Sequence, residues 1–206
     1  LLTGDGAADL DPSWRVIGLD GNPVPAVAGR QEFTFACPTN PGAVEAMLPN
    51  MTHQLSLFNY QGVFLDRIRF PSPTADPTSH LGCFCEHCQA AAASAGLDLK
   101  AIRSELLRQA STPLGLIDLV LEMAGLLAGG QSPLSQLMVF RQESITRVIR
   151  RAADLVLERD LEVGLDCYPP MLARLVGQDL VELSFQARWM KVMTYAHTYA
   201  PAGLPY

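Results

Sequence analysis

Short apolar segments alternate with longer segments of helical periodicity, and this alternation constrains the fold more than any other feature of the chain. Residues 62–70, 161–168 and 189–195 are the clearest predicted strands, because each is rich in β-branched, aromatic or other apolar residues. Shorter strands are predicted at 14–19 and 33–36. Strands separated by helices are typical of βαβ units and therefore predict a parallel sheet.

The predicted helices account for most of the residues between these strands. Apolar residues recur at helical spacing at about 41–58, 86–95, 98–110, 114–128, 132–159 and 171–184. A complete eightfold barrel has about 250 residues, whereas this chain has 206 residues and about five predicted strands. The predicted fold class is therefore α/β, an incomplete (β/α) barrel of the TIM type formed by residues 1–206 as one domain.

Polar residues cluster where the predicted strands end and a proline or loop follows. In α/β proteins the carboxyl ends of parallel strands carry the functional site. The candidates are Asp66 and Arg69 in the first clear strand, Asp166 and Tyr168 in the second, and Tyr195 and His197 after the third.

Composition and charge exclude some classes of partner. The net charge of −6 argues against nucleic acid and against an anionic membrane, both of which favour a basic face. No run of 18 apolar residues indicates a membrane helix. These properties leave homo-oligomerisation open.

Three of the five cysteines lie within six residues, in the pattern C-x-C-x-x-C at 83–88. A tight cysteine cluster in a chain of this size predicts a metal site rather than disulfides. A closed tetrahedral set of four thiolates suits structural zinc, in the loop that follows a central strand. The predicted ligands are Cys37, Cys83, Cys85 and Cys88.

Alternatives to this zinc site follow from the same residues. Cys167 is a rival fourth ligand, but it lies inside a predicted strand and faces away from Asp166 and Tyr168. His80 and His87 are substitutes for one sulfur. Free thiols, a disulfide or an iron–sulfur cluster are the other interpretations. Reduced, metal-bound thiols favour the cytoplasm.

The segment Cys-Pro-x-Asn-Pro at 37–41 and the later C-x-C-x-x-C at 83–88 together resemble the family-42 glycoside hydrolases, which are β-galactosidase-like barrels. The resemblance covers about residues 33–95. It implies a structural zinc bound by the four cysteines. The segments LDRIRFP, VGLDCYPP and KVMTY are similar to a broader group of uncharacterised glycoside-hydrolase-like barrels.

The catalytic pattern of that family is not matched. An Asn-Glu pair precedes the cysteine loop in family 42, and Ile68 stands here at the Glu position. The nucleophilic Glu of the family also has no counterpart in WMKVMTYAHTY. The family's catalytic residues therefore cannot be transferred to this chain.

Two carboxyl groups facing one sugar bond are the usual requirement for glycoside hydrolysis. Asp66 and Asp166 are the predicted pair, with Asp66 as proton donor and Asp166 as base or nucleophile. Arg69, Tyr168, Tyr195 and His197 are the predicted sugar-binding residues. The alternatives are aspartates held in structural ion pairs, and a non-catalytic protein that binds a saccharide or a partner protein. A zinc hydrolase is a third hypothesis, and it requires an open coordination position.

Overall fold

The computed structural model describes residues 11–26, 34–73, 76–127 and 130–194. Within them the strands are β1 Gly62–Leu65, β2 Glu162–Cys167 and β3 Trp189–Val192. The α-helices are α1 Pro41–Leu57, α2 Pro77–His80, α3 Glu86–Ser94, α4 Leu99–Ala110, α5 Pro113–Met123, α6 Pro133–Leu157, α7 Pro170–Ala173 and α8 Leu180–Ser184. Short 3-10 helices occur at Pro12–Trp14 and Arg174–Val176.

The strands form one open parallel sheet in the order β1-β2-β3. Leu65 lies opposite Leu165, and Asp166 lies opposite Lys191. Among the described residues, only β2 has a neighbouring strand on both sides. The predicted TIM-type barrel is therefore wrong, even as an incomplete barrel: the fold is α/β with three strands, whereas that barrel needs eight.

The two early predicted strands account for part of this error. Residues 14–19 and 34–36 make only isolated antiparallel bridges, such as that between Arg15 and Ala36. The chain turns at Gly21, whose φ of +90° is left-handed, and continues into Pro23, which has no N–H to donate. A regular ladder therefore does not extend along this stretch.

Two other predicted elements are shorter than expected because the backbone leaves its regular conformation. Strand β1 ends at Leu65 instead of continuing to residue 70, and Arg67 has a left-handed φ of +57° that turns the chain out of the ladder. The single helix predicted at 171–184 is divided at Gly177, with φ of +80°, into α7, a 3-10 turn and α8.

Polar caps define where most helices begin. A side-chain oxygen accepts a backbone N–H within the first turn and satisfies one of the donors that a helix leaves unpaired there. The capping residues are Asn40 for α1, Asp76 for α2, Asp98 for α4, Thr112 for α5, Ser132 for α6 and Asp179 for α8. The helix boundaries thus follow from local sequence.

The two faces of the sheet have different surroundings. Val163, Leu165 and Cys167 alternate along β2, are at most 1% exposed and belong to the same core as α6. Side chains of the opposite face include Phe64 and Trp189, which are 41% and 48% exposed. Among the described residues the sheet therefore has one face covered by helices and one face accessible to solvent.

Across residues 11–26, 34–73, 76–127 and 130–194, no helix combines the length and apolar character needed to cross a bilayer.

Candidate functional site: a four-cysteine cluster and a row of charges

The cysteine prediction corresponds to a compact cluster in the structure. The Sγ atoms of Cys37, Cys83, Cys85 and Cys88 all lie within 4.8 Å of one another. Cys37 Sγ is 3.4 Å from Cys88 Sγ and 3.5 Å from Cys85 Sγ. Sulfurs bound tetrahedrally at about 2.3 Å from a metal lie about 3.8 Å apart. The four side chains therefore have the spacing to hold a metal ion.

Separate parts of the chain bring these cysteines together. Cys37 follows the bridged residue Ala36, and its N–H donates to the carbonyl oxygen of Trp14 at 2.6 Å. Cys83 follows Gly82, which bridges to Gly18. The remaining two cysteines lie at the start of α3, where Cys85 is the residue before the first turn and Cys88 is inside it. The cluster thus joins the N-terminal segment to the loop after β1.

Hydrogen-bond donors surround the sulfurs. The backbone N–H of Ile17 donates to Cys83 Sγ at 3.3 Å. The hydroxyl oxygen of Thr39 lies 3.1 Å from Cys37 Sγ and 3.0 Å from Cys88 Sγ. Such contacts orient thiolate ligands and tune a bound metal. Three of the cysteines are fully buried, and Cys85 is partly exposed.

The pKa directions of the thiols differ within the cluster. Burial raises the pKa of the Cys83 and Cys88 thiols. Hydrogen bonds from neighbouring thiols lower the pKa of Cys37 and Cys85, led by Cys83 for the first and by Cys37 for the second. Burial and the hydrogen bonds between the thiols therefore act in opposite directions on their pKa values.

The alternative ligands lie outside the cluster. Cys167 is buried in β2 and is not part of the four-sulfur group. His80 Nδ1 lies 3.1 Å from the Ser79 hydroxyl, and His87 Nε2 lies 3.8 Å from a carboxylate oxygen of Glu86. Neither histidine belongs to the metal-capable group found among the described residues.

The predicted acid pair lies at the carboxyl ends of β1 and β2. Asp66 follows Leu65, the last residue of β1, and Asp166 is near the end of β2. Because Leu65 lies opposite Leu165, the next residues, Asp66 and Asp166, are at the same end of neighbouring strands. The residue opposite Asp166 on β3 is Lys191, whose Nζ lies 3.1 Å from Asp166 Oδ1. Asp66, Asp166 and Lys191 therefore form a row of charges across the sheet.

The two aspartates have different environments. The Asp166 side chain is 5% exposed, whereas the Asp66 side chain is 39% exposed and lies 3.5 Å from the Arg67 guanidinium. Burial raises the pKa of Asp166; the Lys191 ammonium opposes this shift, and Asp66 adds to it. Burial therefore favours the protonated form of Asp166 through its raised pKa, and the sequence analysis assigned the role of proton donor to Asp66.

No family model, no curated protein and no solved structure matches this chain.

Two of the predicted sugar-binding residues, Arg69 and Tyr168, are buried in the structure. Arg69 is 3% exposed, and its guanidinium lies between the rings of Phe35 and Tyr168, at 5.0 and 4.6 Å from their centroids. Tyr168 is 1% exposed. These two residues are buried beneath the site. Tyr195 and His197 lie outside the described residues.

An aromatic pair adjoins the row of charges and was missed from the sequence. Phe64 and Trp189 flank Gly164 in the sheet register, and their rings stack above it with centroids 5.2 Å apart at 8°. Lys191 Nζ is 5.7 Å from the Phe64 ring centroid. The sequence does indicate this pair. Side chains two residues apart lie on the same face of a strand, so Phe64 shares a face with Asp66, and Trp189 shares a face with Lys191.

A groove leads to Asp66 from the side of α1. Its volume is about 220 Å³, and its walls are mainly apolar side chains of α1 and β1. Asn50 and Gln54 on α1 and Asp66 at the end of β1 supply the polar lining. An apolar floor with a few polar groups is the usual composition of a small-molecule site.

Proposed function

We propose that this chain forms the functional site of an enzyme that hydrolyses O-glycosidic bonds of a carbohydrate. Asp166 is the proton donor and Asp66 is the carboxylate that acts as base or nucleophile. The observation that carries the proposal is the placement of two carboxyl groups with unlike burial at the carboxyl ends of adjacent parallel strands. Pairs of carboxyl groups whose environments separate their pKa values are typical acid–base pairs.

The proposed mechanism begins with a proton on Asp166. Its burial favours the neutral acid, which donates that proton to the leaving oxygen of the glycosidic bond. Lys191 then stabilises the Asp166 carboxylate formed by this transfer. Asp66 is accessible to solvent and is placed to attack the sugar carbon or to activate a water molecule.

The separation of the two carboxyl groups decides the stereochemical outcome of this chemistry. Retaining glycosidases hold their carboxyl groups about 5–5.5 Å apart, and inverting enzymes hold them about 6.5–9.5 Å apart. The Asp66 and Asp166 side chains lie at the same end of adjacent strands, and Asp66 is the more exposed of the two. We propose that Asp66 adjusts its rotamer as the sugar enters between them.

The groove beside Asp66 is the proposed entry for the sugar. Its volume of about 220 Å³ is below the roughly 300–1,000 Å³ typical of drug-sized ligands. It therefore suits a single monosaccharide unit rather than a long chain. The side-chain amides of Asn50 and Gln54 are placed to hydrogen-bond sugar hydroxyls.

A structural zinc ion is the proposed occupant of the four-cysteine cluster. Soft thiolates and a tetrahedral spacing suit Zn²⁺, which would hold the N-terminal segment and the loop after β1 in place. Four cysteine ligands fill a tetrahedral shell, so this site stabilises the structure and takes no part in the reaction.

A second candidate function is saccharide binding without turnover. The observation that favours it is the ion pair between Lys191 and Asp166, which opposes protonation of the proposed donor. The exposed Phe64 and Trp189 rings provide apolar surface for a sugar on the same face.

The experiment is an assay of the whole chain on a panel of aryl glycosides, with saccharide binding followed in parallel by calorimetry. Asp66→Asn and Asp166→Asn are each expected to reduce kcat/KM on any cleaved glycoside by at least about 100-fold. Asp154→Asn on the exposed side of α6 is the matched control, and its activity should equal that of the wild type.

Saccharide binding without turnover would select the second candidate function. Turnover unaffected by both substitutions would overturn the acid-pair mechanism.

A further inference from the structure

Gln178 is a buried polar residue that bonds the backbone at the end of β2. Its side chain is 3% exposed, and Oε1 of its amide accepts the backbone N–H of Tyr168 at 2.8 Å. Nε2 of the same amide donates to the backbone carbonyl oxygen of Asp166 at 3.2 Å. One side-chain amide therefore bonds both the residue that carries the proposed acid and the residue two positions later.

These two bonds have the pattern that a neighbouring strand would make. The backbone groups of alternate residues point to the same edge of a strand, where a parallel neighbour bonds them. The carbonyl oxygen of Cys167 accepts the N–H of Met193 on the β3 side, so the carbonyl of Asp166 points towards β1. The register of β1 with β2 ends at Leu65. The Gln178 amide therefore occupies the place of a peptide group that a longer β1 would supply.

A short turn brings Gln178 to this position. The 3-10 helix Arg174–Val176 ends at Gly177, whose φ of +80° is left-handed and favours glycine. The carbonyl oxygen of Val176 accepts the N–H of Phe70 at 2.9 Å. The turn thus bonds the chain that follows β1 on one side and the end of β2 on the other.

The bonds of Gln178 lie where β1 and β2 part, which is also where the acid pair lies. Asp166 carries its carboxyl group at this point, with Oδ1 3.1 Å from Lys191 Nζ. A buried carbonyl left unpaired is costly, and the Gln178 amide satisfies the one at Asp166. A displacement of that backbone would move the carboxyl group away from Lys191, and a misplacement of about 1 Å can reduce a rate by about 100-fold.

We propose that Gln178 is a positioning residue for Asp166, because its amide replaces a neighbouring strand and fixes the backbone from which the carboxyl group projects. Gln178 acts through that backbone and has no chemical step of its own. The expected effect on turnover rests on the proposed function of Asp66 and Asp166. The expected effect on the contact between Asp166 and Lys191 is independent of turnover.

The first test measures that contact in the full chain. Gln178→Met keeps the length of the side chain and removes its amide. The pKa of Asp166 is followed by carboxyl ¹³C chemical shifts with and without Lys191→Met, in the wild-type and Gln178→Met backgrounds. Lys191→Met should shift this pKa less in the Gln178→Met background, because the ion pair is already weakened there. Equal shifts in the two backgrounds would overturn the inference.

The second test is kinetic. Gln178→Met is expected to lower kcat on any cleaved aryl glycoside by about 10–100-fold while KM changes by less than about threefold. Val156→Ala, in the buried core of α6, is the control for lost stability, and its kcat should equal that of the wild type. Equal losses of kcat in the two variants would show that Gln178 has only a general structural role.

Gln178→Glu is the conservative variant. Its carboxylate can accept the N–H of Tyr168 but cannot donate to the carbonyl of Asp166, whereas the protonated carboxyl group can do both. The kcat of this variant relative to the wild type should therefore recover as the pH falls through the pKa of the introduced group. A ratio that stays constant with pH would contradict the inference.

Two further outcomes are separable. If Gln178→Met does not fold, Gln178→Glu takes its place in both tests. A wild-type chain that cleaves no glycoside overturns the proposed function, and the comparison of Asp166 pKa values then decides alone whether Gln178 positions Asp166.

Discussion

Asp166 and Lys191 are register partners on neighbouring parallel strands, and Lys191 Nζ lies 3.1 Å from Asp166 Oδ1. Asp66 lies at the end of β1, the strand on the opposite flank of β2 from Lys191, and its charge also acts on this carboxyl group. Asp166 therefore stands between a cation and an anion, and these two neighbours shift its pKa in opposite directions.

Lys191→Met is expected to raise the pKa of Asp166, because it removes the charge that favours the carboxylate. Asp66→Asn is expected to lower the same pKa, because it removes a neighbouring negative charge. Carboxyl ¹³C chemical shifts followed as a function of pH measure both values. Shifts in the same direction for the two variants would contradict the charge row.

Cys37→Ser is expected to weaken Zn²⁺ binding by more than about 100-fold, beyond the effect of losing an outer partner. Metal content by mass spectrometry under native conditions and the midpoint of thermal unfolding measure the loss. Cys167→Ser is the control, because Cys167 is a buried free cysteine outside the cluster. Equal metal loss in the two variants would exclude the four-cysteine assignment.

Gly164→Ala is expected to destabilise the protein by about 1–3 kcal/mol. A methyl group at Gly164 would overlap the indole ring of Trp189, which Phe64 holds in place by stacking. Urea unfolding measures the change in the free energy of unfolding. In a Trp189→Leu background the same substitution should have a smaller effect; an unchanged effect would show that the indole is not the obstacle.

Asp76→Ala is expected to destabilise the protein by about 1 kcal/mol, the usual effect of removing a helix cap. Burial raises the pKa of Asp76, but hydrogen bonds from Ser79 and Thr78 prevail and lower it to about 2. The stabilisation is therefore fully present above the unfolded-state pKa of about 3.9 and is lost as the pH falls through about 2. Urea unfolding between neutral and acid pH should show the two proteins converging at low pH. A constant difference would contradict this origin.

Local patterns in the sequence predicted the elements better than their assembly. The apolar stripes of α1, α4 and α6 placed these helices within a few residues, since this signal is local. The cysteine cluster was also predictable. Three of its ligands are close in sequence, and Cys37, which follows a predicted strand, was expected to be the fourth.

The barrel prediction failed because it depended on contacts between distant segments. Residues 14–19 and 34–36 have strand-like composition, but turns and Pro23 limit them to isolated bridges. The burial of Arg69 was also missed, because the left-handed Arg67 changes which side of the chain the following residues face. Such tertiary effects override strand propensity.

The order of strands in the sheet has a consequence for synthesis of the protein. Strands β1 and β2 are direct neighbours, but five helices separate them along the chain. At a translation rate of about 5–20 residues per second, the roughly 100 residues between them take about 5–20 s to emerge from the ribosome. During that interval β1 exists as a nascent segment without the strand it pairs with. The helices of the crossover therefore have time to form before the sheet does, and β1 depends on them, or on chaperones, to keep it from pairing elsewhere.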